Sequence, residues 1–135
     1  MYRVMLVSHG ELSKAILASA EMICGSQPDA VTHCLYEEDG PESLRERIVA
    51  TLDSWEGEDI LVLTDIRSGT PFNVLCSLME HRKFRHISGM NLAMVIEALL
   101  SSEFATSDEI AADLKAGFPD SILDVNDFLA QLGEE

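Results

Sequence analysis

The sequence has few cysteines, and their placement excludes two classes of site. There are three among 135 residues, Cys24, Cys34 and Cys76, and no two of them form a Cys-x-x-Cys pair. An odd number of widely spaced cysteines inside apolar segments argues against a disulfide framework and against a cysteine-ligated zinc ion. We therefore interpret them as reduced thiols of a cytoplasmic protein, and we expect neither a metal ion nor a cofactor.

Positive charge is also scarce. The chain has nine Lys and Arg residues and 24 Asp and Glu residues, which gives a formal net charge of −15. A protein that binds a phosphate backbone needs cations that displace counterions, so nucleic acid is excluded as a partner class. The local exception is the basic segment 81–86, which we interpret as a solvated helix end whose cations are favourably placed near the helix C-terminus. His81 and His86 flank this basic turn, and we expect no special role for either.

Long apolar runs are missing as well. The apolar stretches are interrupted within about ten residues, whereas a membrane-spanning helix needs roughly 20. The N-terminus has no basic segment followed by a long apolar one, so we expect neither membrane insertion nor secretion. A chain of 135 residues, 47% of them hydrophobic, is long enough for one core, and we predict a single domain over residues 1–135.

The apolar pattern switches repeatedly between strand-like and helix-like segments. Short runs rich in β-branched residues predict strands at 2–8, 31–36, 60–64 and 84–88, and a last short strand near 121–125. Helical spacing predicts helices from Leu12 to a cap at Gly25, over 41–55, from Pro71 to about Met79, over 92–100, after a capping box at Thr106 and Glu109, and in the C-terminal tail. This alternation predicts an α/β fold, a three-layer sandwich with a mostly parallel sheet of about four strands, helices on both faces and possibly a short antiparallel C-terminal strand.

Three predicted strand ends deliver polar residues: 8–10, 65–70 and 89–91. Ligands of open α/β sheets bind beyond the carboxyl ends of the strands, so these segments are the candidate site. If the first and third strands are neighbours, Asp65 accepts the Nδ1 proton of His9 and leaves Nε2 free as a nucleophile. The alternatives are that His9 only caps a helix or bonds to a loop, and that Asp65 is a turn or N-cap residue.

The loop after Asp65 suits a phosphoryl group. Ser68, Gly69 and Thr70 are small or hydroxylated, and they precede a helix N-terminus, where backbone N–H groups attract anions. Thr70 would donate a side-chain hydrogen bond, and Arg67 would neutralise charge. The alternatives are an ordinary helix cap and a solvated arginine. Combined with His9, the loop suggests phosphoryl transfer through a phosphohistidine.

Three segments carry a family resemblance. They are Val-Ser-His-Gly-Glu-Leu-Ser at 7–13, Leu-Thr-Asp-Ile-Arg-Ser-Gly-Thr-Pro-Phe-Asn at 63–73, and Ile-Ser-Gly-Met-Asn-Leu-Ala-Met-Val-Ile-Glu at 87–97. In order and spacing they resemble the enzyme IIA domain of the mannose/fructose/sorbose family of the bacterial phosphoenolpyruvate-dependent sugar phosphotransferase system. In many relatives, proline stands at the position of Ala93.

The resemblance implies a cytoplasmic phosphocarrier. It would take a phosphoryl group from the carrier protein HPr and pass it to an enzyme IIB domain, which phosphorylates a sugar entering through a membrane permease. By position, it implies that His9 is phosphorylated, that Asp65 is its hydrogen-bonding partner and that Thr70 lies near the phosphoryl group. It also implies a homodimer, commonly with an exchanged C-terminal strand, although residues 118–135 do not match the family clearly.

Other readings of the same residues remain open. His9, which follows a predicted strand, also resembles the catalytic histidine of histidine phosphatases. Those enzymes need an arginine at the preceding position, where this chain has Ser8. A Ser8, His9 and Asp65 hydrolase fails because adjacent strand residues point to opposite faces of a sheet. A regulatory or sensor domain with an inert His9 and the phosphocarrier subunit of dihydroxyacetone kinase are further alternatives.

Overall fold

In the computed structural model of this protein, which describes residues 1–134, strands and helices alternate along the chain until the last third, which is helical. The strands are β1 (Arg3–His9), β2 (Val31–Leu35), β3 (Ile60–Thr64) and β4 (Arg85–Ser88). The helices are α1 (Leu12–Cys24), α2 (Pro41–Ser54), α3 (Thr70–Leu78), α4 (Leu92–Leu100), α5 (Ser107–Gly117) and α6 (Val125–Gly133), with a 3-10 turn at Pro119–Ser121.

The four strands form one parallel sheet in the order β2-β1-β3-β4. β1 and β3 are therefore neighbours, as the site hypothesis requires, with Val7 opposite Thr64 in the register. Because the strands are parallel, their carboxyl ends lie along one edge of the sheet. His9, the last residue of β1, and Asp65, the first residue after β3, reach that edge side by side.

Both faces of the sheet are covered, which explains why β3 is buried throughout. Leu6 and Leu63 point to the face covered by α1, α4 and α5, where they pack against residues such as Val95. Val7 and Val62 point to the other face, where α2 and α3 cover them. The helices that follow β1 and β3 thus leave on opposite faces, and they open a crevice between the two strand ends.

Local sequence signals set most of the boundaries. The predicted strands and helices occur within about two residues of their expected limits up to α5, where Thr106 and Glu109 form the predicted capping box. Gly25 ends α1 with a φ of 85°, a conformation that suits glycine. The described residues contain no helix long and apolar enough to cross a membrane.

The predicted strand near 121–125 is wrong. The 3-10 turn ends at Ser121, and α6 begins at Val125 after Asp124, whose side chain accepts a hydrogen bond from the Asp127 amide. The apolar side chains of this segment recur at helical spacing, at Val125, Phe128, Leu129 and Leu132. Two apolar residues in succession, Ile122 and Leu123, resemble a strand locally, but the period of the longer segment is helical.

Candidate functional site

His9 and Asp65 form the centre of the candidate site. The ring nitrogen Nδ1 of His9 lies 2.8 Å from Oδ2 of Asp65, and the same oxygen accepts the His9 backbone N–H at 2.9 Å. Two donors from one residue fix the carboxylate relative to both the ring and the strand end. With Nδ1–H donating to Asp65, the lone pair of the neutral ring is on Nε2.

The two side chains differ in exposure: His9 is 44% exposed, whereas Asp65 is 7% exposed. Burial raises the pKa of Asp65, but hydrogen bonds from the backbone and ring of His9, helped by the backbone of Ile66, outweigh it and lower the pKa below its usual value. The carboxylate is thus negatively charged at neutral pH. Its second oxygen, Oδ1, is buried and has no hydrogen-bond partner among residues 1–134.

Gly69 places the loop that follows Asp65 against the His9 ring. It is the N-cap of α3, with a φ of 94°, and a Cβ atom added there would lie 2.9 Å from both Cε1 and Nε2 of His9. No other residue type allows the backbone to approach the ring this closely in this conformation. The start of α3 therefore lies beside the ring nitrogen that Asp65 leaves free.

The remaining loop residues lie at the surface. Thr70 is the first residue of α3 and half-buried, and Ser68 and Arg67 are exposed. The side chains of these three residues form no hydrogen bond or ion pair within the described chain, and they flank Gly69, the residue whose backbone lies against the His9 ring. An open cavity of 230 Å³ adjoins Thr70 between α2 and α3, lined by Pro41, Glu42, Arg45, Thr70, Asn73, Val74 and Ser77.

With this geometry established, comparison with known proteins decides the family. Residues 3–115 match the family described as the PTS system fructose IIA component, EIIA-man. The chain belongs to this mannose/fructose/sorbose enzyme IIA family. It is a component of the phosphotransferase system.

Individual relatives agree with the family match. The chain is 28% identical to the sorbose-specific EIIA component of Lacticaseibacillus casei over 82% of this chain and 81% of that one. It is 29% identical to the fructose-specific EIIA component of Bacillus subtilis over 86% of this chain and 81% of the relative. The crystal structure of an EIIA component from Streptococcus agalactiae superposes with a TM-score of 0.84 at 30% identity, covering 93% of this chain and 98% of that one.

The third strand end of this IIA chain plays a supporting role. The side chain of Asn91 accepts a hydrogen bond from the Met94 amide and caps α4, and Met90 is buried in the core. The backbone N–H groups of Gly89 and Met90 both donate to the Thr64 carbonyl, at 3.0 and 3.1 Å. Residues 89–91 thus hold the end of β3 in place, and Ala93 lies exposed in the first turn of α4.

Ser8 does not join His9, as the alternation of strand residues predicted. Its hydroxyl is buried, accepts a hydrogen bond from the Ser13 amide at 2.7 Å and holds the first turn of α1. The described residues also contain no cluster of histidine, cysteine or carboxylate side chains suited to a metal ion. At this edge the IIA chain therefore presents His9 as an exposed ring paired with a buried carboxylate.

One residue near the site was missed at the sequence level. His86 belongs to β4, and its Nε2 lies 2.8 Å from the hydroxyl of Thr64, the residue before Asp65. From the sequence, His86 was interpreted as flanking a basic turn and needing no special role. The available signal was the alternation of Phe84, His86 and Ser88, which puts the His86 ring on the strand face covered by α2 and α3.

The rest of the basic segment is far from the site. Arg82 pairs with Asp53 at 2.7 Å, and Arg85 pairs with Asp108 at 3.1 Å. Arg85 begins β4, so this cluster lies at the amino ends of the strands, opposite His9. The two ion pairs connect this surface segment to α2 and α5.

Proposed function

We propose that this IIA component is a cytoplasmic phosphohistidine carrier that accepts a phosphoryl group from HPr on Nε2 of His9 and passes it to an enzyme IIB domain during sugar uptake through a membrane permease. The observation that carries the proposal is the His9–Asp65 pair, an exposed ring whose Nδ1 is held by a buried carboxylate. The family match supports the same role.

The chemistry requires no proton transfer. The Nε2 lone pair of neutral His9 attacks phosphorus as the bond between phosphorus and the donor histidine breaks, and the donor ring keeps the electrons of that bond. The His9 ring gains positive charge while its Nδ1–H still donates to Asp65. The buried carboxylate of Asp65 stabilises that positive charge. The stronger this stabilisation, the less readily the ring gives up the phosphoryl group to the next acceptor.

The loop at the start of α3 would bind the phosphoryl oxygens. Gly69 brings the helix N-terminus against the ring, where backbone N–H groups attract the dianion. Thr70 and Ser68 would add hydroxyl donors, and Arg67 would offset negative charge in a chain whose net charge is −15. Because these side chains have no other hydrogen bonds within residues 1–134, they are available to a ligand that comes and goes.

The shape of the edge also suits a carrier. His9 projects from a strand end with 44% of its side chain exposed, so a second protein can bring its own histidine or cysteine to the ring. Such an exchange needs a complex that forms and dissociates quickly. The acidic surface would speed encounter with a partner that carries positive charge around its active residue.

We also propose that the protein is a homodimer, with the C-terminal segment buried between the two copies. Every residue from Pro119 to Glu134 is exposed in the single chain, including six large apolar side chains: Ile122, Leu123, Val125, Phe128, Leu129 and Leu132. A nine-residue helix is marginal in water unless its apolar face is packed.

The same chain presents a second exposed apolar area. Met22 and Leu100 lie at the ends of α1 and α4, which pack together, and Phe104 follows α4 with 86% of its surface exposed. A single copy leaves both areas in water, and a monomer rarely exposes this much apolar surface. A second copy of the chain would cover both apolar areas at once, and for this reason we propose that a second copy binds there.

The carrier proposal is tested by incubating the protein with phosphoenolpyruvate, enzyme I and HPr, followed by intact mass measurement. We expect a gain of one acid-labile phosphoryl group, abolished in His9→Ala and retained in the control His81→Ala. His9 is at a surface edge, so its loss should leave the circular dichroism spectrum and Tm nearly unchanged. Full phosphorylation of His9→Ala would overturn the assignment. So would a wild type that stays unphosphorylated in a reaction in which HPr itself is phosphorylated.

The dimer is tested by light scattering of the full chain. We expect a dimeric mass for the wild type and a monomeric mass for Leu129→Asp, because a carboxylate cannot be buried unpaired in an apolar interface. Met79→Asp, which changes an exposed apolar residue outside both areas, is the control and should stay dimeric. A monomeric wild type at tens of micromolar would contradict the proposal.

A further inference from the structure

The phosphoryl loop, residues 65–69, connects the end of β3 to the start of α3, and its middle is not held by its own side chains. Ile66, Arg67 and Ser68 are exposed, and none of these side chains makes a hydrogen bond within the described residues. The Asp65 side chain bonds the first residue of the loop to His9, and beyond that bond the position of the loop depends on the residues that flank it. Thr64 precedes the loop, and Phe72 lies in the first turn of α3 after it.

One side chain contacts both ends. Nε2 of His86 lies 2.8 Å from Oγ1 of Thr64, and the His86 ring lies 5.3 Å from the Phe72 ring, centroid to centroid, with the two planes tilted by 50°. Both distances are those of favourable contacts, a hydrogen bond and an aromatic pair. His86 thus bridges the strand that delivers Asp65 and the helix that delivers Gly69.

We propose that His86 is a positioning residue for phosphoryl transfer: by bridging Thr64 and Phe72, it sets the loop so that Asp65 and Gly69 meet the His9 ring. This inference rests on the proposed function of His9. His86 itself does not touch the reacting atoms, since it lies on β4, two strands from β1.

The surroundings of His86 favour a fixed arrangement. Burial lowers its pKa, so the ring is neutral at pH 7 and bonds to the Thr64 hydroxyl without a charge. Thr64 is itself fully buried, and its carbonyl accepts hydrogen bonds from Gly89 and Met90. A small shift here would be transmitted to Asp65, the next residue, and misplacement by about 1 Å at a reacting centre can cost roughly 100-fold in rate.

The chain contains a matched control. His33 on β2 is also largely buried, and its Nε2 also lies 2.8 Å from a threonine hydroxyl, that of Thr51 on α2. That pair joins a strand to a helix but flanks no part of the loop. Equivalent substitutions in the two pairs remove the same kind of hydrogen bond, so a difference between them reports position relative to the site and not the loss of a buried contact.

The experiment measures the rate of phosphoryl transfer from HPr in Thr64→Val and His86→Gln, with Thr51→Val and His33→Gln as controls. Valine keeps the β-branched shape and removes only the hydroxyl, so folding should survive, and Tm measures the stability cost of each variant. We expect Thr64→Val to lower the maximal rate about tenfold without changing the HPr concentration at half-maximal rate. Thr51→Val should transfer at the wild-type rate, and His86→Gln, whose amide can still bond to Thr64, should lie between wild type and Thr64→Val.

A second measurement does not depend on phosphorylation. The nitrogen NMR shifts of His9 report which ring nitrogen carries the proton, and we expect them to change in Thr64→Val and not in Thr51→Val. Equal transfer rates in Thr64→Val and Thr51→Val, with unchanged His9 shifts, would overturn the positioning role. A wild type that accepts no phosphoryl group would refute the carrier function, while altered His9 shifts in Thr64→Val alone would still support the bridge.

Discussion

The three histidines of the sheet make a direct comparison. His9, His33 and His86 each place a ring nitrogen 2.8 Å from a side-chain oxygen. His9 is partly exposed and pairs with a carboxylate, whereas the other two are largely buried and pair with threonine hydroxyls. A hydroxyl can hold a neutral ring, but only a carboxylate would stabilise the positive ring that the proposed phosphorylation creates.

The difference shows what the proposed carrier histidine has beyond a hydrogen bond. Burial lowers the pKa of His33 to about 4, with a smaller contribution from Arg47, so this ring stays neutral and serves the packing of β2 against α2. His9 has a strand end, a charged partner and a glycine beside its free nitrogen. Each of these features can be changed separately.

The largest effect is expected from removing the charge of the His9 partner. Asp65→Asn keeps the size of the side chain but cannot stabilise a positive ring or dictate which nitrogen carries the proton. We expect transfer from HPr to slow by about 100-fold and phospho-His9 to form to a lower extent. Rapid-quench measurement of labelling would show this, and a wild-type rate would remove Asp65 from the mechanism.

The next effect concerns the approach of the loop. Gly69→Ala puts a Cβ atom 2.9 Å from Nε2 of His9 and strains a residue with a φ of 94°, so we expect the transfer rate to fall by about tenfold. Gly25→Ala is the matched control, because Gly25 also has a positive φ but has nothing within 4 Å of the added atom. If both variants lose only stability, by about 1 kcal/mol, and transfer equally well, the close approach has no role in transfer.

A smaller effect concerns stability and pH. The unfolded chain protonates His33 below about pH 6.5, whereas the folded protein protonates it only near pH 4. Between these values the unfolded chain binds more protons, so the free energy of unfolding falls as the pH falls. His33→Gln should reduce the loss of Tm between pH 7 and pH 5 by about 3 °C, and an unchanged loss would show that His33 is not buried in its neutral form.

The smallest effect is expected at the basic segment. His81 is exposed and lies near the amino ends of the strands, far from His9. His81→Ala should change the free energy of unfolding by less than about 0.5 kcal/mol and leave transfer unchanged. A loss of transfer there would place the donor-binding surface at the opposite end of the sheet.

The sequence allowed most of the fold to be predicted because the local signals agree with it. Continuous apolar runs identified the buried strands, and the helices were identified by period, by Pro41 and by the capping box at Thr106. The prediction of a strand near 121–125 failed because it rested on two successive apolar residues, Ile122 and Leu123, and two residues are too few to establish a period. The contacts of His86 with Thr64 and Phe72 could not be predicted from the sequence, since they come from segments 14 or more positions away in the chain.

By itself, the sequence determined which residues stand at the strand ends, because the apolar periods of strands and helices depend only on residues that are close together in the sequence. His9, Asp65 and Gly69 were therefore identifiable as candidates. Only the tertiary structure decided that they meet, because the order β2-β1-β3-β4 is set by pairing between distant strands. That pairing brings His9 to 2.8 Å from a carboxylate 56 positions away and brings His86 into contact with Thr64 and Phe72, since parallel strands align their ends only after the sheet has formed.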